Sequence, residues 1–124
     1  MDNPGRKILI IEDEKILAEM YRDIFAEAGY QSFLALTAEE GVEIVKKEKP
    51  DLVLLDILLP KDNGIAFLKK IKEDSQIPLP KVVAFSNYDE PRTRKEAIEL
   101  GAKAYLLKTD FTPKELVEKV KRYF

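Results

Sequence analysis

Six side chains able to do chemistry stand directly after short apolar runs in this sequence. Glu12, Asp13 and Glu14 follow the run ending at Ile11, Asp56 follows Leu52 to Leu55, Ser86 follows Phe85, and Lys108 follows Leu107. Carboxylates crowded together raise each other's pKa and work against folding. A divalent cation relieves that conflict. The chain has no Cys and no His, and a hard, oxygen-only donor set suits Mg²⁺, which keeps several waters and takes one or two carboxylates plus phosphate oxygens. Ser86 and Lys108 add a hydroxyl and an ammonium to the same group. The missing residue types exclude disulfides, a thiolate nucleophile, a zinc ribbon and a Ser-His-Asp relay. They also exclude a phosphohistidine on this chain. Glycines stand at positions 5, 29, 41, 64 and 101, so neither a G-x-G-x-x-G turn nor a P-loop can be written.

The elements that must position these groups alternate strand and helix. Lys7 to Ile11 reads as a buried strand, and apolar residues from Ile16 to Ala28 repeat at helical spacing until Gly29. Ser32 to Leu36 is a second strand. Thr37 with Glu40 three residues on predicts a capping box, opening a helix that Pro50 stops near Lys49. Leu52 to Leu55 is a third strand, Ile65, Leu68 and Ile71 mark a third helix after Gly64, and Lys81 to Phe85 is a fourth strand. Glu90 to Leu100 forms a fourth helix, Ala104 to Leu107 a fifth strand, and Leu116, Val117, Val120 and Phe124 line a last helix with Pro113 in its first turn. Such alternation predicts an α/β fold, a single doubly wound five-stranded parallel sheet with helices on both faces. The unbroken apolar runs of strands one and three make them central, which yields the flavodoxin-like order 2-1-3-4-5. Ligands of such sheets bind outside the carboxyl ends of the strands, where all six residues fall.

Composition sets the outer bounds. The chain has 124 residues, 45% of them apolar and 35% charged, with 21 Lys and Arg against 23 Asp and Glu. One domain spanning 1–124 is expected, and near balance of charge argues against a nucleic-acid grip. Apolar runs are far too short to cross a bilayer and no signal peptide is visible, so a cytoplasmic protein is expected.

The ordered set Ile11-Glu12-Asp13-Glu14, Asp51-Leu52-Val53-Leu54-Leu55-Asp56-Ile57-Leu58-Leu59-Pro60, Gly64, Ser86 and Gly101-Ala102-Lys103-Ala104-Tyr105-Leu106-Leu107-Lys108 resembles the receiver domains of two-component response regulators, including the single-domain chemotaxis regulator. The resemblance covers essentially the whole chain. It implies that Asp56 takes a phosphoryl group from a phosphohistidine of a sensor histidine kinase or phosphotransfer protein. Glu12, Asp13 and Asp56 would hold Mg²⁺ with the backbone carbonyl of Leu58, Glu12 through water. Lys108 would pair with the phosphoryl oxygens, the Ser86 hydroxyl would bond one of them, and Tyr105 would be the aromatic switch that turns inward. The state would pass to a downstream protein or an output domain through the face of helix four, strand five and helix five, with dimerisation on phosphorylation left open. The chain would catalyse its own phosphorylation and slow dephosphorylation, with no turnover of a free metabolite.

Two positions depart from the family pattern. Asn87 follows the switch hydroxyl where a very small residue is usual; with Leu58 and Tyr88 it is expected to set phosphorylation and dephosphorylation rates. Thr109 replaces the proline that usually follows the lysine, and since a cis bond to a non-proline residue costs about 2.5–4 kcal/mol, a trans 108–109 bond is expected. These departures support a competing reading, a degenerate receiver acting as a phosphate-independent interaction module. A Mg²⁺-dependent aspartyl-phosphate hydrolase would need an acid two residues after its nucleophile, where Leu58 stands. Asp13 also suits a helix cap, and Arg92, Arg94 and Lys95 read most simply as a solvated helix face.

Overall fold

The computed structural model describes residues 5–58 and 64–124. Leu59 and Pro60 of the motif around Asp56 lie outside the described residues. The elements run β1 (Lys7–Ile11), α1 (Lys15–Glu27), β2 (Gln31–Ala35), α2 (Ala38–Glu48), β3 (Leu52–Asp56), α3 (Gly64–Glu73), β4 (Lys81–Ser86), α4 (Pro91–Glu99), β5 (Ala104–Leu107) and α5 (Pro113–Val120). All strand pairs are parallel, in the order β2-β1-β3-β4-β5.

Alternate residues of the central strands enter two different cores. Leu9, Ile11, Val53 and Leu55 pack with Val42, Phe67 and Leu68 on the α2–α3 side. Ile8, Ile10, Leu52 and Leu54 pack with Phe25, Leu116 and Val120 on the α1–α5 side. All eight strand residues are fully buried, so the runs are continuously apolar because neither face meets water. Each such side chain is worth roughly 1.5–3 kcal/mol of burial. β2 is an edge strand, and along it only Ala35 is buried.

β3 and β4 each run one residue further than expected, so Asp56 and Ser86 end their strands instead of following them; other differences from the sequence reading lie at helix ends. β2 lies one residue earlier than expected because Leu36 N–H is taken by Glu40 Oε1 at 2.9 Å, while Glu40 N–H donates to Thr37 Oγ1 at 3.1 Å. The expected box at Thr37 is therefore displaced by one residue on its return half. A full capping box instead opens α5, where Thr112 N–H donates to Glu115 Oε1 and Glu115 N–H to Thr112 Oγ1. Asp13 does not cap α1; the cap position is Glu14, with no side-chain bond. α2 closes on Lys49 at φ 50°, a left-handed residue placed just before Pro50.

Candidate carboxylate–lysine site

β1 and β3 are neighbours with Ile11 opposite Leu55, so the residues that leave their carboxyl ends emerge side by side. One carboxylate oxygen each from Glu12, Asp13 and Asp56 all lie within 4.8 Å of one another. Glu12 and Asp56 are buried, whereas Asp13 is exposed. Glu14, the fourth acid of the expected group, contributes its backbone: its N–H donates to Glu12 Oε2 at 3.1 Å. Asp56 is fixed in the same way, accepting the Leu58 N–H on Oδ1 at 3.1 Å, a local turn of the kind short acidic side chains form. Behind it, Gly64 N–H donates to Ile57 O at 2.9 Å. A Cβ on Gly64 would stand 2.8 Å from Ile57 Cα and 3.1 Å from Asp56 O, so α3 starts this close to the loop only because residue 64 has no side chain.

Lys108 leaves β5 and reaches across β4 into the cluster. Its Nζ donates to Glu12 Oε1 at 2.6 Å and to Asp56 Oδ2 at 3.1 Å, and only 8% of its side chain is exposed. Burial pushes the Glu12 carboxyl above its usual range, and the Asp56 charge adds to this, while the Lys108 hydrogen bond and charge pull it partly back. For Lys108, burial is the largest influence and lowers its pKa, yet the Glu12 hydrogen bond and the two carboxylate charges together outweigh it, so the ammonium is held above its ordinary value. The lysine is thus charged and bound to both acids. The 108–109 bond is trans, as expected, and Lys108–Asp110 forms a short 3-10 turn.

On the other side of β4, Ser86 is fully buried. Its Oγ accepts the Tyr88 N–H at 3.2 Å, which leaves the hydroxyl proton for another acceptor. The Tyr88 carbonyl in turn accepts the Tyr105 hydroxyl at 3.0 Å. Tyr105 is buried, and the Arg94 guanidinium lies 4.9 Å from its ring centroid. Arg94 is therefore more than a solvated residue: it pairs with Asp89 at 2.9 Å and covers Tyr105. Leu58, Asn87 and Tyr88 are exposed around the carboxylates and the serine.

Two aromatic residues at this site were not singled out from sequence. The Phe85 ring lies under Lys108, with Nζ 4.8 Å from its centroid, and Tyr21 meets Phe85 edge-on at 5.4 Å. Burial raises the Tyr21 phenol above its ordinary value, Lys108 opposing and the two acids adding. The available signal was an aromatic ring ending an otherwise aliphatic strand, next to the serine.

Three clustered carboxylates with one ammonium and no sulfur or imidazole fit Mg²⁺ by donor type and by residual negative charge. Among the described residues no helix is long and apolar enough to cross a membrane. Residues 8–121 match the family described as response regulator receiver domain. Sporulation initiation phosphotransferase F of Bacillus subtilis is 37% identical over 120 residues, which cover 96% of this chain and 94% of that protein. The phosphate regulon transcriptional regulatory protein PhoB of Escherichia coli is 36% identical over 94% of this chain and 51% of its own length; the chain spans about half the length of this and several other curated relatives it matches. A CheY-like receiver domain structure from Methanospirillum hungatei superposes with a TM-score of 0.85 at 30% identity, covering 95% of this chain and 92% of that one. The chain belongs to the response regulator receiver domain family.

Proposed function

We propose that this receiver accepts a phosphoryl group on Asp56 and signals through the face of α4, β5 and α5. Receiver domains bind Mg²⁺ in general and interact with histidine kinases or phosphotransfer proteins. The single observation that carries the assignment is Asp56, buried at a strand end, sharing one cluster with Glu12 and Asp13 while bonded to Lys108. An Asp56 carboxylate oxygen attacks phosphorus as the P–N bond of the donor phosphohistidine breaks. The departing imidazole nitrogen keeps the bonding pair and takes a proton, and Asp56 becomes an acyl phosphate. Glu12, Asp13 and Asp56, with the Leu58 carbonyl, are the residues that would hold Mg²⁺, whose chemistry is to neutralise charge on the phosphoryl oxygens. Lys108 keeps its ammonium beside the nucleophile, ready for an oxygen of the incoming group. The Ser86 hydroxyl has its proton free to bond a second one. Because Ser86 is tied to Tyr105 through the Tyr88 backbone, movement of that loop is felt at α4 and β5. Leu58, Asn87 and Tyr88 border the entry and set how readily donor and water reach Asp56.

The test is acyl-phosphate formation on the full chain with phosphoramidate and Mg²⁺, located by mass spectrometry. Uptake by wild type and none by Asp56→Ala is expected. Equal uptake by the variant would overturn the assignment, and no uptake by wild type would favour the phosphate-independent interaction module.

A further inference from the structure

Lys108 is buried on a flexible four-carbon stem, and two hydrogen bonds alone leave its ammonium free to swing. Among the described residues Glu12 and Asp56 are its oxygen acceptors, which use two of the three N–H groups of an ammonium. The ammonium also stands over the face of Phe85, 4.8 Å from Nζ to the centroid. The ring is fully buried and is itself steadied by Tyr21, edge-on at 69°. Its place in the strand is apt. Phe85 pairs with Asp56 across β3 and β4, and adjacent strand residues point to opposite faces. Phe85 therefore sits on the α1–α5 side beneath the lysine, while the next residue, Ser86, starts the link to Tyr105.

We propose that Phe85 is a positioning residue for Lys108, its ring face holding the ammonium where it meets Glu12 and Asp56 together. A cation within about 6 Å of an aromatic face is attracted by the ring's negative potential, the more so when both are out of water. An aliphatic residue would fill the volume without that attraction. With Phe85 in place, the ammonium is confined between two carboxylates and a ring. This confinement keeps the lysine beside Asp56 before any phosphoryl group arrives, the condition for electrostatic preorganisation. The kinetic consequence rests on Asp56 being the phosphoacceptor; the contact itself does not.

The experiment has a spectroscopic and a kinetic arm, each on wild type, Phe85→Leu and protein carrying a trifluorinated phenylalanine at position 85. The fluorinated ring keeps the shape and drains the ring face, so it decides the matter even where Phe85→Leu folds poorly. By NMR, the Lys108 ε-methylene protons of wild type are expected upfield from the ring current, and Phe85→Leu is expected to lose that shift. With phosphoramidate and Mg²⁺, phosphoryl uptake is expected to slow about fivefold in Phe85→Leu and by a smaller factor with the fluorinated ring. An unshifted lysine in wild type, or a fluorinated protein that reacts at the wild-type rate, would overturn the proposal. If wild type takes up no phosphoryl group, the phosphoacceptor reading fails by itself, and the NMR arm still decides whether Phe85 holds the lysine.

Discussion

Lys108 is bound by two acids that would otherwise repel each other, so its loss should cost more than two hydrogen bonds. Removing one partner of a buried ionic group leaves uncompensated charge, and about 3–5 kcal/mol is the usual scale. Lys108→Met is therefore expected to lose about that much in urea unfolding. Glu12 should respond as well. Its carboxyl is already raised by burial, and the lysine is what draws it down; in Lys108→Met it should titrate higher still. Adding Glu12→Gln to that variant should recover part of the loss. A Lys108→Met protein as stable as wild type would show that the cluster carries no net strain. That Glu12, Asp13, Asp56 and Lys108 come together was legible in the sequence, because each ends or follows a strand of a parallel sheet, whose carboxyl edge is a known place for ligands. The link from Ser86 to Tyr105 was not. It passes through the N–H and carbonyl of Tyr88, and backbone groups carry no residue signature. The seat under Lys108 was hidden for another reason: a phenylalanine in a strand reads first as core.

Five strands and five helices followed from alternation of apolar runs, and the order from which runs were apolar on both sides. What periodicity does not encode is how near two elements come. α3 begins against the backbone behind Asp56, and Gly64 is the residue that permits it. An added methyl would meet Ile57 Cα and the Asp56 carbonyl, which cannot turn aside as a side chain can. At Gly41 the same methyl would meet the side chains of Ile11 and Phe67, which have rotamers to explore. Gly64→Ala should destabilise by about 1–3 kcal/mol, the range for overpacking, and should also slow phosphoryl uptake, since the relief must come from moving the Asp56–Ile57 backbone. Uptake unchanged alongside lowered stability would show that α3 yields instead of the loop. The capping residues teach the same lesson on a smaller scale. Glu40 reached one residue further back than the Thr37 pattern predicts, and that single bond shifted the end of β2.

Over the whole molecule the formal charge is −2, and the single cluster of Glu12, Asp13, Asp56 and Lys108 has the same formal excess of acid over base. A cation that binds only the folded cluster must therefore stabilise the fold: Mg²⁺ at a hundred times its dissociation constant should add about 2.7 kcal/mol. That gain should vanish in Asp13→Ala, read as a shift in melting temperature, and an equal shift in the variant would place the ion elsewhere. Alkaline pH probes the same centre from its aromatic side. The Tyr21 phenol is raised chiefly by burial above its ordinary value of 10.0, so the folded state holds that proton more tightly than the unfolded state does. Its contribution is fully present below pH 10 and is lost as pH climbs through the higher folded value, by at most about 1.4 kcal/mol per pH unit. Lys108, also raised, adds loss of the same sign. Tyr21→Phe cannot ionise and keeps the ring against Phe85. Its stability, followed by urea unfolding at a series of pH values above 9, should fall less steeply than that of wild type, and parallel curves would mean that the phenol ionises as easily in the fold as in the open chain.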